Sequence, residues 1–232
     1  MYTLWHHCRI ATMAAGHYQL LDDGAMLTDG AVLLWVGNRA ELPDLPVAQR
    51  VDLQGRVVTP GLVDCHSHAV FGGDRAREFE MRLNGASYAE IAAGGGGIAS
   101  TVNATRQASE SQLLESARQR IRELCRDGVT ALEIKSGYGL DLANERKMLR
   151  AIRRLGDILP LTVRSTCLAA HAVPVEYQER EMPGLTIFAN DCCRNCIRKG
   201  WWMRWMRSAN TWHFRPRKWS ESFRRPGNWG CQ

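Results

Sequence analysis

Two rhythms divide the chain. Up to about residue 57, short apolar runs are separated by tight-turn signals; from Val57 onward, apolar runs alternate with long loop and helical stretches. Residues 24–37 predict a strand, an Asp29-Gly30 turn and a second strand, the pattern of a β-hairpin. Residues 51–58 predict a further strand and turn, so the first 57 residues read as a small all-β unit. Beyond Thr59-Pro60-Gly61 comes a short apolar run, then a long segment over 72–98 that carries four consecutive glycines, Gly94 to Gly97. That segment predicts a flexible loop, since no Gly-Lys-Ser/Thr follows to make a phosphate cradle. Between Ser100 and Arg126, Leu113, Leu114, Ala117, Ile121 and Leu124 recur near helical spacing and predict one amphipathic helix. Strands over 129–134 and 161–168 flank a second helix over 144–155, whose basic residues are expected to face solvent. A β-α-β-α-β succession with strands buried on both faces predicts parallel pairing. Periodicity alone allows a (β/α) barrel or a doubly wound sheet equally.

Charge changes this picture at one place. The whole chain of 232 residues carries 30 basic and 24 acidic side chains, net +6, yet residues 181–232 alone hold 10 basic and 3 acidic ones. The basic character therefore belongs to the tail, and the preceding 180 residues are close to neutral. Six of the eight tryptophans, Trp201, Trp202, Trp205, Trp212, Trp219 and Trp229, also lie in the tail. No run of about 18 apolar residues predicts a membrane span, and the N-terminus lacks a basic-then-apolar leader pattern; a cytoplasmic location is the expectation. Cys8, Cys65, Cys125 and Cys167 sit in apolar surroundings and read as reduced core or near-core thiols.

Candidate chemistry gathers where strands end. Residues i and i+2 of an extended strand share a face, so His66 and His68 project side by side while Ser67 turns away. Two neutral imidazoles are half of a metal site suited to zinc, iron or nickel. His6, His7 and Cys8 make no such cluster, because neighbours on a strand point to opposite faces. The second strand end delivers Lys135-Ser136-Gly137-Tyr138, and the third Ala170-His171. In a barrel the C-terminal strand ends carry the site.

The stretch from Val57 to Gly73, with Asp64 ahead of His66-Ser67-His68, resembles the first barrel strand of the metal-dependent amidohydrolases. Phe71 to Arg75, Glu78 to Leu83, Gly85 to Tyr88, Glu133 to Leu140 and Ala169 to Pro174 narrow the resemblance to the imidazolonepropionase family, over roughly residues 25–180. The resemblance implies an α/β fold: a partial (β/α)8 TIM-type barrel of the amidohydrolase kind over 58–180, preceded by part of a small β-sandwich over 1–57. It implies one divalent metal, Zn or Fe, with His66 and His68 as its first two ligands. Arg75, Tyr138 and His171 match residues that bind the substrate; a guanidinium fork suits a carboxylate, a phenol donates to one, and an imidazole supports charge developing on a ring carbonyl. The implied reaction opens the ring C–N bond of 4-imidazolone-5-propanoate to give N-formimidoyl-L-glutamate. A homodimer is expected by analogy alone, with neither nucleic acid nor membrane as partner. Lys135 is left out, since the family uses one metal and needs no bridging lysine. The family's remaining ligands, a His and an Asp, and its acid/base Glu match nothing after His171, so no catalytic residue is assigned. A cyclic amidine deaminase of the same superfamily is the rival enzyme.

The tail reads as out of frame. Trp and Met have single codons, so shifting the reading to each third base turns Trp201-Trp202 into Val and Trp202-Met203 into Asp. With permitted codons elsewhere, residues 200–214 become a family-like strand region. A frameshift near residues 178–184 is therefore expected, leaving about three of eight barrel strands, unpaired edges and an inactive chain. The alternative takes the tail as written: Cys193, Cys196, His213 and Cys231 as zinc ligands, and Arg/Trp interleaving that stacks on nucleic-acid bases. Resequencing the gene across codons 170–232 separates them. A one-base correction that opens a frame carrying the missing His, Glu and Asp is the expected result; an unchanged frame refutes the frameshift.

Overall fold

The structure is a computed structural model and describes residues 1–169, 171 and 172; every expectation for residues 181–232 lies outside the described residues. The described residues divide into two units, Met1–Val63 with Gly128–Thr130, and Asp64–Asp127 with those from Ala131 onward.

The first unit is built on a four-stranded sheet from β1 (Tyr2–Ala11), β2 (Leu20–Asp29), β3 (Val32–Asn38) and β4 (Val47–Val58), in the order β3-β2-β1-β4. β2 and β3 form the expected hairpin, with Asp29 opposite Val32 and Gly30 at φ +54° in the turn. β1 pairs antiparallel with β2 and parallel with β4. Leu4, Ala25 and Leu27 make the core, with Tyr2, Trp35, Leu42 and Val47 packed round it. The regular alternation of β1 breaks at His7, whose φ of +56° accompanies register shifts against both neighbours. His7 Nδ1 lies 2.8 Å from Asp52 Oδ1, so this histidine is engaged on β4.

Among the described residues the second unit holds five helices, α1 (Ala76–Leu83), α2 (Tyr88–Ala93), α3 (Ile98–Gln107), α4 (Glu110–Arg126) and α5 (Leu142–Ile158). A three-stranded sheet has the order β5-β6-β7, with β5 spanning Leu62–Ser67, β6 Val129–Lys135 and β7 Thr162–Thr166. β6 and β7 are parallel and α5 connects them, a βαβ unit. Met148, Leu149, Ala151, Ile152 and Leu155 bury the inner face of α5, and Leu113, Ala117 and Ile121 that of α4; α4 packs on α5, and α5 on β7.

Several expectations need correction. The single helix over 100–126 is two, because Ser109 forms a capping box: its hydroxyl accepts from Gln112 N while Gln112 Oε1 accepts from Ser109 N at 2.8 Å. The segment over 72–98 is not one loop but holds α1 and α2, the latter started by the same device at Ser87 and Glu90. Lys147 does not face solvent freely. Its ammonium donates to the carbonyls of Thr105, Arg106 and Ala108 at 2.8–3.0 Å and closes the C-terminal end of α3. The strands are not buried on both faces: Leu62 and Val63 of β5 are 53% and 69% exposed. Of the cysteines read as core thiols, Cys8 and Cys167 are buried, Cys125 is half-buried and Cys65 is exposed.

Ser109→Ala removes the acceptor that separates α3 from α4. It is expected to cost about 1 kcal/mol of stability, read from the denaturant midpoint.

Candidate active site

Three segments in the second unit bring the predicted residues together. His66 lies near the end of β5 and His68 just past it, and the i, i+2 geometry sets their ring centroids 5.7 Å apart. His66 is exposed, whereas His68 is half-buried. The segment that leaves β6 carries Tyr138, whose ring centroid is 5.3 Å from His68 and 6.2 Å from Phe71. His171 stands 6.4 Å from both His68 and Tyr138. Four of the five predicted site residues thus share one ring cluster. Arg75 is placed differently: it is the N-cap of α1, and its Nε donates to Thr101 Oγ1 on α3 at 2.9 Å.

Local backbone chemistry sets each of these rings. Arg120, on α4, donates to the carbonyls of Ala69 and Phe71 at 3.0 and 3.2 Å and lies 3.6 Å over the Phe71 ring, pinning the turn that follows His68. Gly72 N donates to Thr105 Oγ1 at 2.9 Å. His171 packs on the backbone of Gly137, where a Cβ would fall 2.9 Å from Cε1 of the imidazole and φ is +123°. Only glycine meets both conditions. His171 Nδ1 lies 2.9 Å from the Leu168 carbonyl, which can only accept, so the proton sits on Nδ1 and Nε2 keeps its lone pair.

The electrostatics favour the neutral form of His68 and His171. Burial chiefly, then the neighbouring His171, His66 and Lys135, bring His68 down to about 4. Burial also lowers His171, against the opposing hydrogen bond to Leu168. Neutral imidazole is the form that ligates a metal. His68 Nδ1 is buried without a hydrogen-bond partner. A buried ring nitrogen left open, beside a second imidazole, fits a divalent ion. Two ligands are what this stretch supplies; no cluster of three or more His, Cys, Asp or Glu able to hold a metal occurs among the described residues.

Sequence reasoning passed over the charged groups behind the rings. Lys135, set aside on family grounds, is 2% exposed and pairs with Glu133 Oε1, which also accepts from Thr166 Oγ1 at 2.6 Å. Glu145 is fully buried, and its Oε1 accepts from Gly139 N and Leu140 N at 2.8 and 2.9 Å. Burial, with Cys167 adding to it, raises the Glu145 carboxyl to about 7. The i, i+2 spacing of Glu133 and Lys135 was a visible signal, since it puts both on one face of β6. Nothing in the helical pattern around Glu145 marked it out.

Solved structures share the fold. A triazine hydrolase variant aligns with a TM-score of 0.59 at 17% identity, over 88% of this chain and 45% of that one. An atrazine chlorohydrolase from Arthrobacter aurescens complexed with zinc gives 0.58 at 18%, with the same coverage. A 5-methylcytosine deaminase from Klebsiella pneumoniae gives 0.55 at 14%, over 87% and 50%. The fold is that of the amidohydrolases. Among curated proteins the chain is homologous to imidazolonepropionases: it is 67% identical over 180 residues to that of Pseudomonas aeruginosa strain UCBPP-PA14 and 66% to that of Pseudomonas putida strain F1. The match takes in 78% of this chain, which spans about 45% of the length of those relatives. No family model matches the chain.

Two outcomes follow from the geometry. Gly137→Ala forces the His171 imidazole off its seat, and is expected to shift the His171 ring resonances while leaving β6 intact. A Glu145 carboxyl raised from 4.5 to about 7 makes folding favour the protonated form, so its contribution is complete below about 4.5 and is lost as pH rises through about 7. The lowered histidines act in the opposite sense, so the comparison is with Glu145→Gln, which carries no titrating group there. The Gln variant should gain relative to the parent by on the order of 3 kcal/mol between pH 4.5 and 8; parallel stability–pH curves would contradict it.

Proposed function

We propose that the gene encodes an imidazolonepropionase, which hydrolyses the ring C–N bond of 4-imidazolone-5-propanoate to N-formimidoyl-L-glutamate. We place the first part of a (β/α)8 barrel over 58–180 behind a β-sandwich part over 1–57, and infer that the chain as written is inactive. The observation that carries this reading is the ring cluster of His66, His68, Tyr138 and His171, with its open buried nitrogen on His68. High identity to enzymes of that name supports it.

His66 and His68 would hold one divalent ion, zinc or iron; the zinc in the chlorohydrolase of the same fold supports the choice of a divalent metal. Such an ion lowers the pKa of a bound water toward neutrality. The side chains of this chain hold and orient the substrate. Arg75 offers a guanidinium fork to the propanoate carboxylate, with Nε engaged by Thr101 and its remaining donors left to bind. Tyr138 donates its phenolic proton to the substrate. His171, protonated at Nδ1, presents Nε2 to the ring. In the overall reaction water adds to the ring amide carbon, the C–N bond breaks, the carbon stays in the product as a carboxylate, and the released ring nitrogen takes a proton.

The test compares the 232-residue chain with its frame-corrected form. No turnover of the imidazolone is expected from the chain as written, and chelator-sensitive turnover from the corrected protein. Arg75→Ala in the latter should raise KM tenfold or more, about 1.4 kcal/mol of lost binding or beyond. A cooperative melt with turnover by the 232-residue chain would overturn its inactivity. Deamination of a cyclic amidine, with the imidazolone untouched, would select the deaminase instead.

A further inference from the structure

A fully buried carboxyl that meets backbone amides and the Ser136 hydroxyl rather than a cation needs a reason. Glu145 lies in the first turn of α5, one turn past the segment that leaves β6 with Tyr138. That segment is tightly bent. Gly137 has φ +123° and Leu140, although not glycine, has φ +53° and is 4% exposed. A single oxygen of Glu145 accepts both N–H groups at the bend, Gly139 at 2.8 Å and Leu140 at 2.9 Å. The bend is closed from the other side as well: Arg106 Nε donates to the Gly139 carbonyl at 2.7 Å, and a Cβ on Gly139 would lie 2.5 Å from Glu145 N. Gly139 is the residue directly after Tyr138. The backbone cannot shift there without carrying the Tyr138 ring away from His68 and His171.

We propose that Glu145 is a positioning residue that fixes the Tyr138 ring by holding the Gly139 and Leu140 amides on one carboxyl oxygen. Its second oxygen has no hydrogen-bond partner and is buried. The grip therefore needs one acceptor atom at the right reach and no ion pair, which a carboxamide supplies equally. The role bears on catalysis only through the proposed contact of Tyr138 with substrate, and it can be read without turnover.

The experiment uses the full chain grown with 3-fluorotyrosine, with the Tyr138 fluorine resonance assigned by Tyr138→Phe. Glu145→Gln keeps the acceptor and should leave that resonance in place. Glu145→Leu, which removes the acceptor, and Glu145→Asp, which shortens its reach by one methylene, should displace or broaden it while the other four tyrosines hold. An unmoved Tyr138 resonance in the Leu or Asp variant overturns the proposal. If those variants do not fold, amide exchange in the unsubstituted chain decides. Gly139 and Leu140 amides protected to within tenfold of those of β6 support the role, and exchange at the free-amide rate overturns it.

Discussion

The parallel pairing of β6 with β7 sets where two of the four rings at the site, Tyr138 and His171, start from. Lys135 stands opposite Thr166 in the last rung of the ladder, and the contact continues past the strands: Ser136 N donates to the Thr166 carbonyl at 2.9 Å, and Leu168 N to Ser136 Oγ at 3.2 Å. Tyr138 and His171 extend from this short seam. A slip of two residues, the smallest that keeps each face of the strand inward, would move one segment past the other by about 7 Å. That exceeds the 6.4 Å between the two rings. The Tyr138–His171 contact therefore exists in one register only.

Charge is also gathered within that seam. Lys135, Glu133 and Thr166 form a buried chain of contacts across the two strands, and Glu145 holds the bend that follows β6. Arg120 does the corresponding work for the turn after His68 by gripping two carbonyls. Each of these groups acts on backbone or on another charge, and Lys135 also disfavours protonation of His68. The division of labour is between side chains that meet a ligand and long side chains that stiffen the peptide carrying them.

Much of this was legible in the sequence, for reasons that also explain the rest. The hairpin at Asp29-Gly30 and the side-by-side placement of His66 and His68 follow from local geometry alone, and both appear in the structure. The break between α3 and α4 was missed because the apolar spacing runs on through Ser109, while a capping box is a hydrogen-bond pattern that periodicity does not see. α1 was missed because it is amphipathic over only eight residues and buries none of them. Arg120 and Lys147 looked like solvated charges between apolar positions. Their partners lie about 40 to 50 residues away in the chain, a distance at which a helical pattern holds no information about what a long side chain reaches.

β5 has a consequence of another kind. Leu62 and Val63 stand more than half exposed on consecutive positions of a strand, and consecutive positions offer apolar surface to both sides of the sheet. Sticky extended segments of this sort are what holdase chaperones grip and what quality-control proteases follow.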